Sequence, residues 1–369
     1  MMYSLDEVGL IPTATSDIKH RADINPFVKS PFGGDKLPVF VAPMTCILNA
    51  NNICEFSRSK FEPILPVVDI KGGLELRRQL PNGSNWCGWI AMTLDEFKHY
   101  FCACNAKEDL KYHILIDVAN GHMWELYKCV KDAKQEYGKD LVVMVGNIAN
   151  PETYVECCKA RVDYVRVGIG GGSGCTTSVQ TGIHASIPWL LRGIHDIRWR
   201  MDAYDQCTPE EQKKMEENFN WGYEGINGFR TKVVADGGVN TIAKAIKCLA
   251  LGADYVMMGQ CFAQCKEGTT GAEKYTIKDK VTKKLGIEHL YYGQASTNGQ
   301  FDRFGELKSN PEGMAKWVPV TYTLDSFATK FEAALRSAMS YCGAHNLEQF
   351  IGKVKYEYMS QAEFGAFIK

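Results

Sequence analysis

Short apolar segments recur eight times along this chain of 369 residues, and helical patterns lie between them. Most of the segments are β-branched and almost continuously apolar, as expected of strands that are buried on both faces. Eight strand–helix alternations predict an α/β fold, the (β/α)8 TIM barrel, as a single domain over residues 1–369. The predicted strands are residues 37–44, 63–70, 86–92, 113–118, 141–148, 164–169, 232–235 and 255–258.

Two segments are longer than a minimal barrel requires. Residues 199–229 are polar and charged, and the acidic and basic run that starts at Glu210 predicts a helical insertion before the seventh strand. Residues 294–316 contain several glycines and asparagines. We predict that they form a mobile flap at the mouth of the barrel, where loops often close over a substrate.

The composition narrows the class of protein. Hydrophobic residues make up 45% of the chain and the formal net charge is -1, which indicates a soluble globular protein with neither a nucleic-acid nor a membrane partner. No apolar run approaches the roughly 18 residues of a membrane span, and the N-terminus has no signal-peptide core. The 14 cysteines follow no disulfide framework, so we expect reduced thiols and a cytoplasmic location. The pairs Cys102/Cys104 and Cys261/Cys265 have no second ligand pair at zinc spacing and are interpreted as small hydrophobic residues.

Polar and glycine residues follow several of the predicted strands. Asp117, Asn147, Asp236 and Gly259 each stand where a strand ends, as does the loop of residues 170–175. Because the chemistry of (β/α)8 barrels lies at the C-terminal ends of the strands, these residues are expected to meet in one site.

The loop that follows the sixth strand, V-G-I-G-G-G-S-G-C-T-T at residues 167–177, points to the chemistry of that site. Its glycines allow backbone N–H groups to approach an anion, and Ser173 adds a hydroxyl donor. A thiolate at Cys175 would then lie beside a bound phosphate compound, ready to attack an electrophilic carbon. The loop therefore predicts a nucleotide enzyme that uses covalent catalysis.

Four motifs in the same order resemble those of the IMP dehydrogenase and GMP reductase family, over nearly the whole chain. They are the loop at residues 168–177, A-D-G-G at 235–238, V-M-M-G at 256–259 and Y-Y-G-Q-A-S at 291–296. Residues 16–25 and 42–44 also look like family segments. The paired regulatory CBS module that many dehydrogenases carry has no counterpart between the second and third predicted strands.

The resemblance implies the catalytic residues. Cys175 would form a covalent adduct at C2 of a purine nucleotide, which divides the exchange of the C2 substituent into two steps. Thr177 and the glutamate of Pro311-Glu312-Gly313 would handle the proton traffic of a reductase that releases ammonia. The catalytic set is therefore Cys175, Thr177 and Glu312.

The resemblance also implies the binding residues. The nucleotide would be held through its 5′-phosphate, its ribose hydroxyls and its base by Met44, Ser173, Asp236, Gly237, Gly238, Gly259, Gln260, Tyr291 and Gly293. The nicotinamide cofactor would lie near Asp117, Asn120, Gly168 and Gly170. Backbone carbonyls of Gly170, Gly172 and Cys175 would offer a potassium site of the kind found in many dehydrogenases. Relatives form homotetramers, which implies the same assembly for this chain.

Three positions depart from the family pattern. Gly171 replaces a usual proline, Ser178 replaces a common arginine, and Gln260 replaces a serine or glycine. These changes leave open a divergent relative that acts on a modified or deoxy purine nucleotide.

The two branches of the family differ in further residues. D-V-A-N-G at residues 117–121 and Y-Y-G-Q-A-S at 291–296 resemble reductases, whereas Asp302-Arg303-Phe304 resembles the D-R-Y flap of dehydrogenases. We therefore favour a GMP reductase, which converts GMP to IMP and ammonia with NADPH. The alternatives are an IMP dehydrogenase, which oxidises IMP to XMP with NAD, and a nucleotide-binding regulator without turnover.

Overall fold

The computed structural model describes residues 3–67, 88–103, 111–172, 175–219, 222–268, 272–279, 284–307 and 310–359. Its strands, in chain order, are β1 (Val8–Leu10), β2 (Val28–Lys29), β3 (Asp35–Lys36), β4 (Val39–Val41), β5 (Glu62–Leu65), β6 (Trp89–Met92), β7 (Tyr112–Asp117), β8 (Leu141–Ile148), β9 (Tyr164–Val167), β10 (Lys232–Asp236), β11 (Tyr255–Met258), β12 (Glu273–Asp279), β13 (Lys284–Tyr292), β14 (Ala315–Pro319) and β15 (Tyr356–Tyr358).

The strands β4 to β11 close into a barrel in which every neighbouring pair is parallel, β11 pairing with β4. Each of these eight strands overlaps one of the eight predicted segments. The prediction of a (β/α)8 barrel is therefore confirmed. The first barrel strand is shorter than predicted, because only Val39–Val41 pair within the sheet, and predicted strand residues 68–70 and 86–87 lie outside the described residues.

The helices of the described residues lie mainly between the barrel strands. They are α1 (Ile53–Arg58), α2 (Leu94–Phe97), α3 (Trp124–Tyr137), α4 (Thr153–Lys159), α5 (Thr177–Thr181), α6 (Ile187–Asp205), α7 (Pro209–Phe219), α8 (Ile242–Ala250), α9 (Gln260–Ala263), α10 (Thr297–Phe304), α11 (Leu324–Tyr341) and α12 (Leu347–Phe350). None of the helices in this part of the chain has the length and apolar character that a membrane crossing needs.

The interior of the barrel is filled by side chains from alternate strand positions. Phe40 lies at its centre, with ring centroids 5.6 Å from Trp89, 5.9 Å from Tyr164 and 5.1 Å from Tyr255. A larger apolar cluster packs between the strands and the helices around them. Because aromatic rings fill the barrel, a ligand has room only at its ends, as in other (β/α)8 barrels.

Three elements extend the barrel. An antiparallel sheet of β12, β13 and β14 follows the last barrel strand, and sequence reasoning did not predict it. The flap segment 294–316 contains α10 and the start of β14. The helix α6 runs without a break through residue 199, where the insertion was predicted to begin, and α7 lies within that predicted insertion.

Candidate active site

The three predicted catalytic side chains lie in one hydrogen-bonded chain. The thiol of Cys175 donates to Thr177 Oγ1 at 3.2 Å, and the Thr177 hydroxyl donates to Glu312 Oε2 at 2.7 Å. All three residues are half-buried. A thiol proton therefore has a short path through one hydroxyl to a carboxylate, which is the arrangement that activates a nucleophile.

Backbone contacts fix Glu312 beside the loop of residues 167–177, which carries Cys175 and is called the cysteine loop below. Thr176 N donates to Glu312 O at 3.2 Å, and Cys175 forms an antiparallel bridge with Gly313. On the far side, Glu312 N donates to Ala295 O at 2.9 Å, and Gln180 Nε2 donates to Pro311 O at 3.1 Å. The part of the flap segment that carries Glu312 is therefore joined to the cysteine loop through its main chain. The position of the carboxylate thus does not depend on side-chain packing alone.

The cysteine loop and the turn of residues 236–238 lie against each other. A Cβ at Gly238, where φ is +75°, would lie 2.8 Å from Gly171 O, and a Cβ at Gly171 would lie 3.3 Å from Gly237 O. Only glycine permits this approach, and it brings several backbone N–H groups to one place, as anion sites require. The predicted phosphate contact Ser173 lies outside the described residues.

Residues predicted to line the base and phosphate region also meet. A Cβ at Gly259 would lie 2.9 Å from Met44 Sδ and 3.2 Å from Tyr291 Oη. Gln260, the next residue, accepts a hydrogen bond at its Oε1 from Lys316 Nζ at 2.8 Å. Gly293 follows Tyr291 by two residues, and its carbonyl accepts from Ser296 Oγ at 2.7 Å in the turn that begins α10.

A buried arginine that sequence reasoning missed connects the strand ends. Arg166 donates from Nη1 to Asp117 Oδ1 at 2.6 Å and from Nε to Asp236 Oδ2 at 3.0 Å. Asn147 Nδ2 donates to the same Asp236 oxygen at 2.9 Å and to Gly168 O at 2.8 Å. Burial opposes the charge of Arg166, but Asp117 and Asp236 outweigh it and raise the arginine pKa. The available signal was an arginine inside the apolar strand Y-V-R-V.

The predicted cofactor residues divide into two groups. Asp117 ends β7 and the exposed Asn120 follows it at the mouth, where a carboxylate and an amide suit ribose hydroxyls and a carboxamide, so this edge of the site fits a nicotinamide nucleotide. Gly168 has a packing role, because a Cβ there would lie 2.1 Å from Asp236 O. The carbonyl of Gly170, the other loop glycine of this set, accepts from Ser178 Oγ at 3.3 Å.

The proposed potassium ligands are partly engaged within the loop. Gly170 O accepts from Ser178 Oγ, and Gly172 O accepts from Cys175 N at 3.0 Å. Each of these two carbonyls keeps a second lone pair that is available to a cation. Among the residues that the structure describes, no group of three or more histidine, cysteine, aspartate or glutamate side chains is arranged to hold a metal ion.

Comparison with known proteins gives one family. A family model described as "IMP dehydrogenase / GMP reductase domain" matches residues 90–189 and 222–365, leaving out the stretch that contains α7. The GMP reductase of Staphylococcus carnosus (strain TM300) is 27% identical over 96% of this chain and 95% of its own length. The GMP reductase of Streptococcus gordonii is 27% identical over 94% of this chain and 92% of its own. The inosine-5'-monophosphate dehydrogenase of Chlorobaculum parvum is 30% identical over 68% of this chain and 45% of its own.

Proposed function

Because the chain belongs to the IMP dehydrogenase / GMP reductase family, and is therefore an oxidoreductase, we propose that it is a GMP reductase. The proposed reaction is the NADPH-dependent reductive deamination of GMP to IMP and ammonia. The observation that carries the proposal is the chain of hydrogen bonds from Cys175 through Thr177 to Glu312. A reductase needs such a path, since an amine must be protonated before it leaves C2.

In the first half of the reaction, Cys175 replaces the amine. Its thiol proton passes through the Thr177 hydroxyl to Glu312, and the thiolate forms a bond to C2 of the purine. Glu312 returns the proton through Thr177 to the departing amine, which leaves as ammonia as the C2–N bond breaks. The product is a neutral thioimidate adduct on Cys175, since the thiol proton has left with the amine as ammonia.

In the second half, the adduct is reduced and released. NADPH, when bound, supplies a hydride to C2. The C2–S bond then breaks and IMP is released, and the Cys175 thiolate takes up a proton from solvent by way of Glu312 and Thr177. Asp117 and Asn120 are the proposed residues that hold the cofactor, with Gly168 and Gly170 near it.

The nucleotide is proposed to bind across the strand ends. All the hydrogen bonds that Asp236 accepts from Arg166 and Asn147 end on Oδ2, so Oδ1 is proposed to accept from the ribose hydroxyls. Backbone N–H groups near Gly172, Gly238 and Gly259, with Ser173, are proposed to hold the 5′-phosphate. A potassium ion on the carbonyls of Gly170, Gly172 and Cys175, a homotetrameric assembly and a cytoplasmic location complete the proposal.

IMP dehydrogenase is the second candidate because of Arg303. The Nε and Nη2 atoms of Arg303 are buried without a hydrogen-bond partner among the described residues, and its guanidinium lies 4.9 Å from the Phe304 ring centroid. A desolvated guanidinium at the flap is the group that a dehydrogenase uses to activate water. The usual flap tyrosine is replaced by Phe304, which favours the reductase.

The test follows nicotinamide absorbance in two mixtures, GMP with NADPH and IMP with NAD and potassium. Loss of NADPH together with ammonia release is the expected result. Formation of NADH from IMP would overturn the reductase and select the dehydrogenase. No turnover in either mixture, with tight GMP or IMP binding, would overturn both and select a binding protein.

A further inference from the structure

We propose that Lys316 is a phosphate-binding side chain whose ammonium group contacts the 5′-phosphate of the bound purine nucleotide. The inference deepens the proposed function, since it rests on a nucleotide binding at the same mouth. No motif of the sequence pointed to Lys316. Its contacts with Gln260 and Tyr291 bring it into the site.

Lys316 lies on the inner face of the sheet that follows the barrel. Along β14, the exposed Ala315 and Trp317 alternate with the half-buried Lys316 and the buried Val318. Alternate residues of a strand face opposite sides, so Lys316 shares the covered face with Val318. A charged residue at a position on a covered face is unusual and requires a partner.

The ammonium group of Lys316 has neutral partners. Its Nζ donates to Gln260 Oε1 at 2.8 Å and lies 5.7 Å from the centroid of the Tyr291 ring. Within the described parts of the chain, Lys316 forms no ion pair with a carboxylate. The amide and the aromatic face orient the ammonium without neutralising it, and a partly buried positive charge in that condition favours an anion nearby.

The position of Lys316 identifies that anion. Tyr291 pairs with Lys316 across β13 and β14, and its hydroxyl reaches to 3.2 Å from the Cβ position of Gly259. Gln260, the hydrogen-bond partner of the lysine, directly follows Gly259. Lys316 is thus connected on both sides to the glycine proposed to hold the phosphate. Backbone N–H groups supply only partial charges there, and a lysine adds a full positive charge to match a phosphate.

The first test compares GMP kinetics of three variants. Lys316→Met is expected to raise KM for GMP by about tenfold or more, the loss of one charged hydrogen bond, with kcat within about twofold. Lys316→Arg keeps the charge and is expected to recover most of that affinity. Lys274→Met is the matched control, since Lys274 lies on the same sheet, 4.6 Å from the Trp317 ring centroid, and is already paired with Glu288. An unchanged KM in Lys316→Met, or an equal rise in Lys274→Met, would overturn the inference.

The second test does not require turnover. Calorimetry of GMP and of guanosine, which lacks the phosphate, is carried out on wild type, Lys316→Met and Gln260→Leu. Weaker GMP binding with unchanged guanosine binding in Lys316→Met, and a smaller effect in Gln260→Leu, is the expected result. Equal weakening for both ligands would mean that Lys316 only supports the sheet, and would overturn the inference. A protein that binds GMP through Lys316 but does not reduce it would overturn the proposed function alone.

Discussion

The two ends of the barrel each hold a mostly buried arginine paired with aspartate, but the surroundings of the two pairs differ. At the base, which is the end where the barrel strands begin, Arg198 Nη2 donates to Asp254 Oδ2 at 2.6 Å and to Thr231 O at 2.7 Å. Its Nε donates to Tyr154 Oη at 2.9 Å. The same Asp254 oxygen accepts from Val233 N at 2.6 Å, which ties the start of one strand to the next. The network joins a helix residue, Arg198, to the starts of β10 and β11, so it holds the barrel together.

At the mouth, Arg166 connects Asp117 and Asp236, which stand at the ends of β7 and β10. Glycines lie directly beside this network, because a Cβ at Gly146 would collide with Arg166 and a Cβ at Gly168 would collide with Asp236 O. The same pair of residue types thus strengthens the scaffold at one end and is proposed to position ligand acceptors at the other. What distinguishes the ends is their surroundings, which are strand starts and helices at the base and glycine-rich turns at the mouth.

The base arrangement is also repeated. Asp163 stands immediately before β9 and accepts from Val143 N at 2.7 Å and from Lys134 at 2.6 Å, as Asp254 does before β11 with Val233 N and Arg198. Burial raises the pKa of Asp163, while Lys134 lowers it. Such repetition is expected of a structural joint between neighbouring strands.

The largest expected effect comes from the cysteine at the mouth. Cys175→Ala is expected to reduce turnover by about 10⁴-fold or more, the scale on which nucleophile removal acts, while GMP binding stays within about tenfold. Cys46→Ala is the control, because Cys46 also follows a barrel strand but is buried, which raises its pKa to about 12. Steady-state rates and binding isotherms check both. Comparable turnover by Cys175→Ala would mean that the mouth does no covalent chemistry.

The next effect concerns the proton path. Glu312→Gln is expected to lower kcat by about 10²- to 10⁴-fold, the range of general acid–base catalysis, with little change in GMP affinity. Glu306→Gln, an exposed glutamate of the same flap segment, provides the comparison and is expected to keep the wild-type rate. Ammonia release measured against time distinguishes the two. A Glu312→Gln variant that is as fast as Glu306→Gln would remove Glu312 from the mechanism.

At the base, the loss is expected in stability. Asp254→Asn is expected to lower the free energy of unfolding by about 2–3 kcal/mol, below the range for a fully buried pair because its side chain is 26% exposed. KM for GMP is expected to stay unchanged below the unfolding transition. Denaturant melts and kinetics on the same preparation check this. A large rise in KM without loss of stability would contradict the division between the ends.

The smallest effect is expected from the change at the mouth that matches Asp254→Asn at the base. Asp236→Asn is expected to raise KM for GMP by about tenfold, or about 1.4 kcal/mol, because a ribose contact weakens. Its effect on unfolding is expected to be smaller than that of Asp254→Asn, since Arg166 keeps Asp117. Unchanged kinetics would identify Asp236 as a turn residue only.

The barrel could be predicted because its strands are buried on both faces, so each reads as an apolar, β-branched run. The sheet β12–β14 escaped for the opposite reason, since its strands E-K-Y-T-I-K-D and A-K-W-V-P are mixed in polarity. Helix α6 likewise continued past residue 199, because its buried face extends to Met201 and Tyr204. Exposed or half-covered elements give weak periodic signals, whatever their final structure.

The proposed catalytic residues could be named from motifs, but their geometry could not be predicted. Thr177 and Glu312 are 135 positions apart and meet through the main-chain contacts of Glu312 with Thr176 and Ala295. Arg166 and Lys316 were missed, since their meaning depends on the partners that the fold gives them. The roles of Cys175, Thr177 and Glu312, like that of Ser173, stay predictions.

The most direct measurement is the mass of the Cys175 peptide after GMP and NADP⁺ are mixed with the enzyme and quenched. NADP⁺ has no hydride to give, so the deaminated adduct is expected to accumulate on Cys175, with ammonia released alongside it. The covalent mechanism predicts a peptide that is heavier by the mass of GMP less ammonia in wild type, and no such peptide in Cys175→Ala. Normal turnover with NADPH but no adduct on Cys175, or an adduct on another cysteine, would contradict it.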